Sequence, residues 1–216
     1  MKKIILALLL GILALTTSCE PQELVHSDAQ INQIITILHD GMGQPASVCL
    51  EQFEKMGITI PLVQSEETKE YILKNSKMWL GVTEKNDSVI YARYELYTTN
   101  TYAEGINDFI DFDNVVYNQK WEKWEGGLDN DVTDLTQHET ANKEIAEMAT
   151  TYNQHQLSLS SFYEKRMGNL YMHAETRYWG VAVGGMNLET GEAIGSKIKS
   201  EIRLFLSLDK NAQIKD

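Results

Sequence analysis

Two tryptophans three residues apart, Trp121 and Trp124, stand in a charged stretch that begins at Tyr117. Flat aromatic rings with a polar handle suit stacking on a sugar or docking against a protein partner. Tyr117, Trp121 and Trp124 are therefore the candidate ligand-binding residues. On a helix the two Trp would share a face; in an extended chain they would lie on opposite faces. Their ordinary use would be to pack a long loop onto the core.

Catalytic patterns are missing by spacing. The five histidines, His26, His39, His138, His155 and His173, include no pair three to five residues apart. His138-Glu139-Thr140-Ala141-Asn142 begins like a zinc-protease helix, but Asn142 stands where the second His is needed, so it cannot chelate zinc. Asp129, Asp131 and Thr133 have the alternate spacing of a calcium loop. Asp134 replaces the Gly of its turn and Thr140 its bidentate Glu, so this reads as a solvated acidic loop. The Ser158–Ser161 run lacks the Gly framing of a nucleophile elbow. Asp108, Asp111 and Asp113 are too ordinary in an acidic chain to mark a glycosidase. Gly184-Gly185 is followed neither by a helix nor by Lys-Ser/Thr, so it marks a bend rather than a phosphate cradle. No catalytic residue, metal site or cofactor is expected.

The N-terminus is more specific. Lys2 and Lys3 precede an uncharged apolar run from Ile4 to Leu15, too short to cross a bilayer, which takes about 20 apolar residues. It fits the apolar region of a secretory signal. Leu15-Thr16-Thr17-Ser18-Cys19 then places a large aliphatic residue and small residues before a cysteine. This stretch resembles the lipobox of bacterial lipoprotein precursors. The resemblance covers residues 1–19 and implies cleavage between Ser18 and Cys19, with lipid on Cys19. Ser18 departs from the commoner Gly or Ala. It also implies a cell-envelope location, at the outer rather than the inner membrane, with the protein facing the periplasm or the cell surface. Two or three acyl chains on one residue make a durable anchor where a single chain is marginal.

The full chain of 216 residues has a formal charge of −12. Removing residues 1–18 takes two of the 19 basic side chains and none of the 31 acidic ones, which moves the charge to −14. Such a chain is repelled by nucleic acid and by anionic membrane surfaces, so membrane attachment falls to the lipid. With Cys19 committed, Cys49 is alone, and on an apolar helix face it reads as a small buried hydrophobe.

The elements that must position these residues follow from periodicity. After a tether over residues 19–26, Ser27-Asp28-Ala29-Gln30 reads as a capping box, and Ile31, Ile34, Ile35 and Leu38 as one helical face. Gly41 is expected to end that helix as a left-handed stop. Pro45 opens a second helix that buries Cys49, Phe53 and Met56, and Ser65-Glu66-Glu67 opens a third, through about Asn75. Met78–Leu96 alternates with a turn at Lys85–Ser88, a hairpin with one wet face. Tyr102 to Ile110 predicts a short helix, followed by an irregular acidic connection to Asp134 and another helix from Leu135. Leu170–Tyr178 and Ile198–Leu208 alternate strongly as strands.

The expectation is a single α+β domain over residues 27–210, with antiparallel hairpins packed against four or five helices and a polar tail at 211–216. The expected function is that of a lipid-anchored envelope lipoprotein with a non-catalytic role in binding a protein or glycan. Two alternatives stand beside it: an envelope hydrolase whose site assembles only in three dimensions, and an acidic immunity or inhibitor lipoprotein that neutralises a basic partner. Lipidation is directly testable. Labelled palmitate should enter the wild-type protein and be absent from Cys19→Ser.

Overall fold

The computed structural model describes residues 27–128, 156–184, 187–190 and 197–208. Ser18, Cys19, the expected helix from Leu135 and the Asp129–Thr133 loop lie outside them. The described elements are helix α1 (Asp28–Gly41), helix α2 (Ala46–Lys55), strands β1 (Leu62–Ser65), β2 (Lys69–Lys74), β3 (Met78–Lys85) and β4 (Ser88–Asn100), helix α3 (Tyr102–Tyr117), and strands β5 (Lys123–Leu128), β6 (Gln156–Met167), β7 (Leu170–Ala182) and β8 (Ile198–Ser207). All eight strands form one antiparallel sheet in the order β1-β2-β3-β4-β8-β7-β6-β5. The helices pack on one face of it.

The expectation of four or five helices is wrong: the described residues hold three, and sheet predominates. The third expected helix is a hairpin. Glu66, Glu67 and Thr68 form its turn, with Glu66 N–H donating to Thr68 O at 3.2 Å. Tyr71 and Leu73 then alternate into the core opposite Val82 and Leu80. Acids that would suit a helix N-terminus suit a solvated turn equally well. Tertiary pairing decided between them. As far as Leu128, the acidic connection from Asp111 is likewise not irregular: Asp111–Tyr117 complete α3, and Lys123–Leu128 form β5.

The hairpin of β3 and β4 turns on Asn86 and Asp87, both left-handed at φ 52° and 56°, the conformation of a tight primed turn. A bulge follows. Thr83 pairs with Tyr91 and Glu84 with Val89, leaving Ile90 unpaired. Val89 therefore takes the core position that strict alternation would give Ile90, and it is fully buried. Opposite it, Glu84 is turned inward. It accepts the Ala46 N–H at the start of α2 at 2.7 Å and the Lys69 ammonium at 2.5 Å. Lys69 holds the Glu84 carboxyl below the usual range against the cost of burial.

Helix α1 starts at the Ser27 capping box, where Ser27 N–H donates to Gln30 Oε1 at 3.0 Å. Gly41 does not end it by a left-handed turn; it is still helical, and the left-handed residue is Gly43, at φ 76°. Gly41 is small for another reason. A Cβ there would stand 1.9 Å from Cys49 Sγ, so α1 and α2 meet only because the side chain is absent. Cys49 is buried, as expected, and burial pushes its thiol up to about 11.

Helix α3 opens on Thr101 and Glu104, which cap each other. It buries Ile106, Phe109, Phe112, Asp113 and Val116 on one stripe. Phe109 meets Tyr178 with ring centroids 6.1 Å apart, and Phe112 meets Tyr94 at 5.9 Å. Asp113, 1% exposed, is the polar member. Its carboxylate accepts Ser161 Oγ at 3.1 Å, Tyr163 Oη at 2.6 Å and the Thr176 hydroxyl. A buried carboxylate is tolerated when its lone pairs are filled, and removing one side of such a network strands the other. Asp113→Ala should therefore cost about 3 kcal/mol, read as a lowered urea midpoint.

Candidate functional site

Tyr117, Trp121 and Trp124 occupy different environments. Tyr117, at the end of α3, is 41% exposed. Trp121 lies in the connection to β5 and is half-buried. Its indole N–H donates to Val116 O at 2.6 Å, and its ring meets His39 edge-on at 5.7 Å and Tyr163 at 5.4 Å. The Lys165 ammonium sits 5.5 Å from the same ring and also contacts His39 Nε2. His39 Nδ1 donates to Asp40 Oδ1 at 2.8 Å, which leaves Nε2 as the acceptor for Lys165. Burial lowers both the His39 imidazole and the Lys165 amine. Trp124, on β5, lies level with Tyr163, with its ring over Gly126.

Trp121 thus packs the ends of α1 and α3 against β6, and both indoles are partly buried against the core. Trp121→Ala should lower stability by about 3 kcal/mol, as for other large-to-small core changes, and calorimetry would register it as a drop in Tm.

The sheet face turned away from the helices offers other aromatics. Cross-strand rows carry them with charged residues: Trp79, Glu95, Arg203 and Arg177 lie side by side, and the next row is Gly81, Arg93, Phe205 and Glu175. The Arg93 guanidinium lies 4.8 Å from the Trp79 ring and 5.2 Å from Phe205. Its Nε donates to Glu95 Oε1 at 2.5 Å, and Arg203 Nε lies 3.3 Å from the same oxygen. Tyr97 donates to the other oxygen, so Glu95 is only 1% exposed on a face that alternation alone would call wet.

Beyond this charged centre, Trp179 pairs with Glu201 and leaves 41% of its surface open. It lines an open groove of about 740 Å³ with Tyr97, Thr98, Thr99, Ser76, Lys77, Lys199, Ser200 and Glu201. The groove forms where β4 runs past the start of β3, so Thr98 and Thr99 have β8 on one side and no β3 residue opposite. Ser200 is held from beneath by Tyr178 at 3.3 Å and by Asn100, to which it donates at 2.6 Å. The groove therefore combines one flat apolar ring with hydroxyls and both signs of charge. Continued by one residue, the alternation of Leu170–Tyr178 puts Trp179 on the polar side of β7, and a Trp on the wet side of a strand is its only signal in the sequence.

The described histidines are structural in their contacts: His39 joins Asp40 and Lys165, and His173 Nδ1 lies 3.5 Å from Glu164. Ser161 is 4% exposed beneath α3. No described helix is long and apolar enough to cross a membrane. No protein family, curated protein or solved structure matches the chain.

Proposed function

We propose that this chain is a lipid-anchored cell-envelope lipoprotein whose folded part is a non-catalytic binding module, and that its ligand is a glycan held on the outer sheet face around Trp179. The observation that carries the reading is the open groove itself. A tryptophan with 41% of its surface exposed lies beside Thr98, Thr99, Tyr97 and Glu201. Sugars present an apolar ring face and a rim of hydroxyls, so an indole platform edged by hydroxyl and charged groups satisfies both parts. A rigid sheet holds the platform without an ordering cost on binding.

Lipid on Cys19 supplies the membrane link, since net negative charge gives no attraction to an anionic surface. The ligand then comes from envelope polysaccharide within reach of a tethered domain. Detergent-solubilised protein should retain envelope oligosaccharides on an array of peptidoglycan, lipopolysaccharide and capsule fragments. Trp179→Ala should weaken that capture at least tenfold, as loss of a central aromatic contact does, with the circular dichroism spectrum unchanged. Equal capture by wild type and Trp179→Ala, or no glycan captured, rejects the reading.

A further inference from the structure

We propose that a second cavity, on the helix side of the sheet, binds a small amphipathic organic cation: an apolar body that ends in a primary ammonium. The cavity adjoins the glycan groove, sharing Lys77, Tyr97 and Thr98 in its lining, but its proposed ligand does not rest on the glycan reading. The cavity has a volume of about 320 Å³, within the range of small-molecule sites. It lies between the first turn of α1, the side of α3 turned away from Asp113, and the end of β4.

Its two halves differ in chemistry. Leu96, Phe112 and Val115 give it an apolar floor, and Asp28, Asp108 and Asp111 stand around it, with Lys77 as the one cation in the lining. The floor asks for hydrocarbon: apolar area removed from water contributes about 25 cal/mol per Å². The carboxylates, all three exposed to solvent, ask for positive charge, and the apolar floor beside them makes that attraction greater than in bulk water. Asp108 reports this field. Burial and the neighbouring Asp111, Glu104 and Asp28 all hold its carboxyl above the usual range, although the Asn100 amide donates to it at 3.1 Å.

A cation placed there relieves that repulsion. A bare metal ion does not fit the same facts: it leaves the floor unused, and among the described residues no three His, Cys, Asp or Glu converge to hold one. A neutral amphiphile uses only the floor, and an anion meets like charge. The ammonium-tipped hydrocarbon alone uses both halves.

The test uses the detergent-solubilised protein and three probes of one length: hexylammonium, hexan-1-ol and hexanoate. Titration calorimetry should show hexylammonium binding at least tenfold more tightly than hexan-1-ol, and hexanoate not at all. Asp108→Asn with Asp111→Asn should remove the preference for the ammonium while leaving the alcohol's weak affinity. Val115→Trp, which fills the floor, should abolish both, and comparison with the double Asn variant separates loss of site from loss of fold. Trp179→Ala should leave hexylammonium binding unchanged, so failure of the glycan reading leaves this one standing. Equal affinity for ammonium and alcohol, no ammonium binding, or an ammonium preference that survives the double Asn variant overturns the proposal.

Discussion

A carboxylate removed from water costs several kcal/mol unless its lone pairs are filled, and Asp113 meets that condition in only one orientation of α3. Ser161 and Tyr163 on β6 and Thr176 on β7 all donate to it, so the helix can neither roll nor slide without stranding three hydroxyls. That constraint propagates. With α3 held there, Phe109 lies on Tyr178 and Phe112 on Tyr94, which joins the helix to both halves of the sheet. The opposite side of the same helix is then obliged to present Asp108 and Asp111 outward, at the helix-side cavity. The apolar core supplies the stability of this arrangement, while Asp113 supplies its direction.

The two faces of the sheet divide the electrostatics. The outer face is close to self-compensating: Glu95 answers Arg93 and Arg203, Arg177 lies 2.5 Å from Glu175, and Arg203 contacts Glu201. The single Arg93 guanidinium, lying over both Trp79 and Phe205, covers aromatic surface there while Glu95 answers its charge. The helix side is different, with three carboxylates around one cavity. A neutral wall bearing an open Trp179 and an acidic cleft over an apolar floor suit ligands of different kinds. Three of the described carboxylates thus gather around the cavity that has room for a cation.

Strands with one wet face were legible because their period is unambiguous. Met78–Lys85, Ser88–Leu96, Leu170–Tyr178 and Ile198–Ser207 lie in strands with the alternating apolar residues inward, apart from the shift at Ile90 and the exposed Leu170. The shift needed a bulge, which a single strand's pattern does not announce. Residues 69–74 were illegible because Tyr71, Ile72 and Leu73 fit either period, and only pairing with β3 selects one. Asp113 was illegible for a different reason. An aspartate on an otherwise apolar helical stripe looks like the end of the stripe, and its three partners lie 48 to 63 residues away. The surroundings of Trp121 were illegible on the same scale. Trp121 is drawn inward by His39, Tyr163 and Lys165, none of them near it in sequence.

The strand order carries a consequence for how the molecule is made. β8, the last described strand in the sequence, sits between β4 and β7 and joins the two halves of the sheet. Until it arrives, β1–β4 and the β5–β7 ladder each end in an open edge, and the inward side chains Ile202, Leu204 and Leu206 are missing from the middle of the core. Pairings of such long sequence separation are slow to form. A chain that emerges N-terminus first therefore cannot close its core before residues 198–207 have been synthesised.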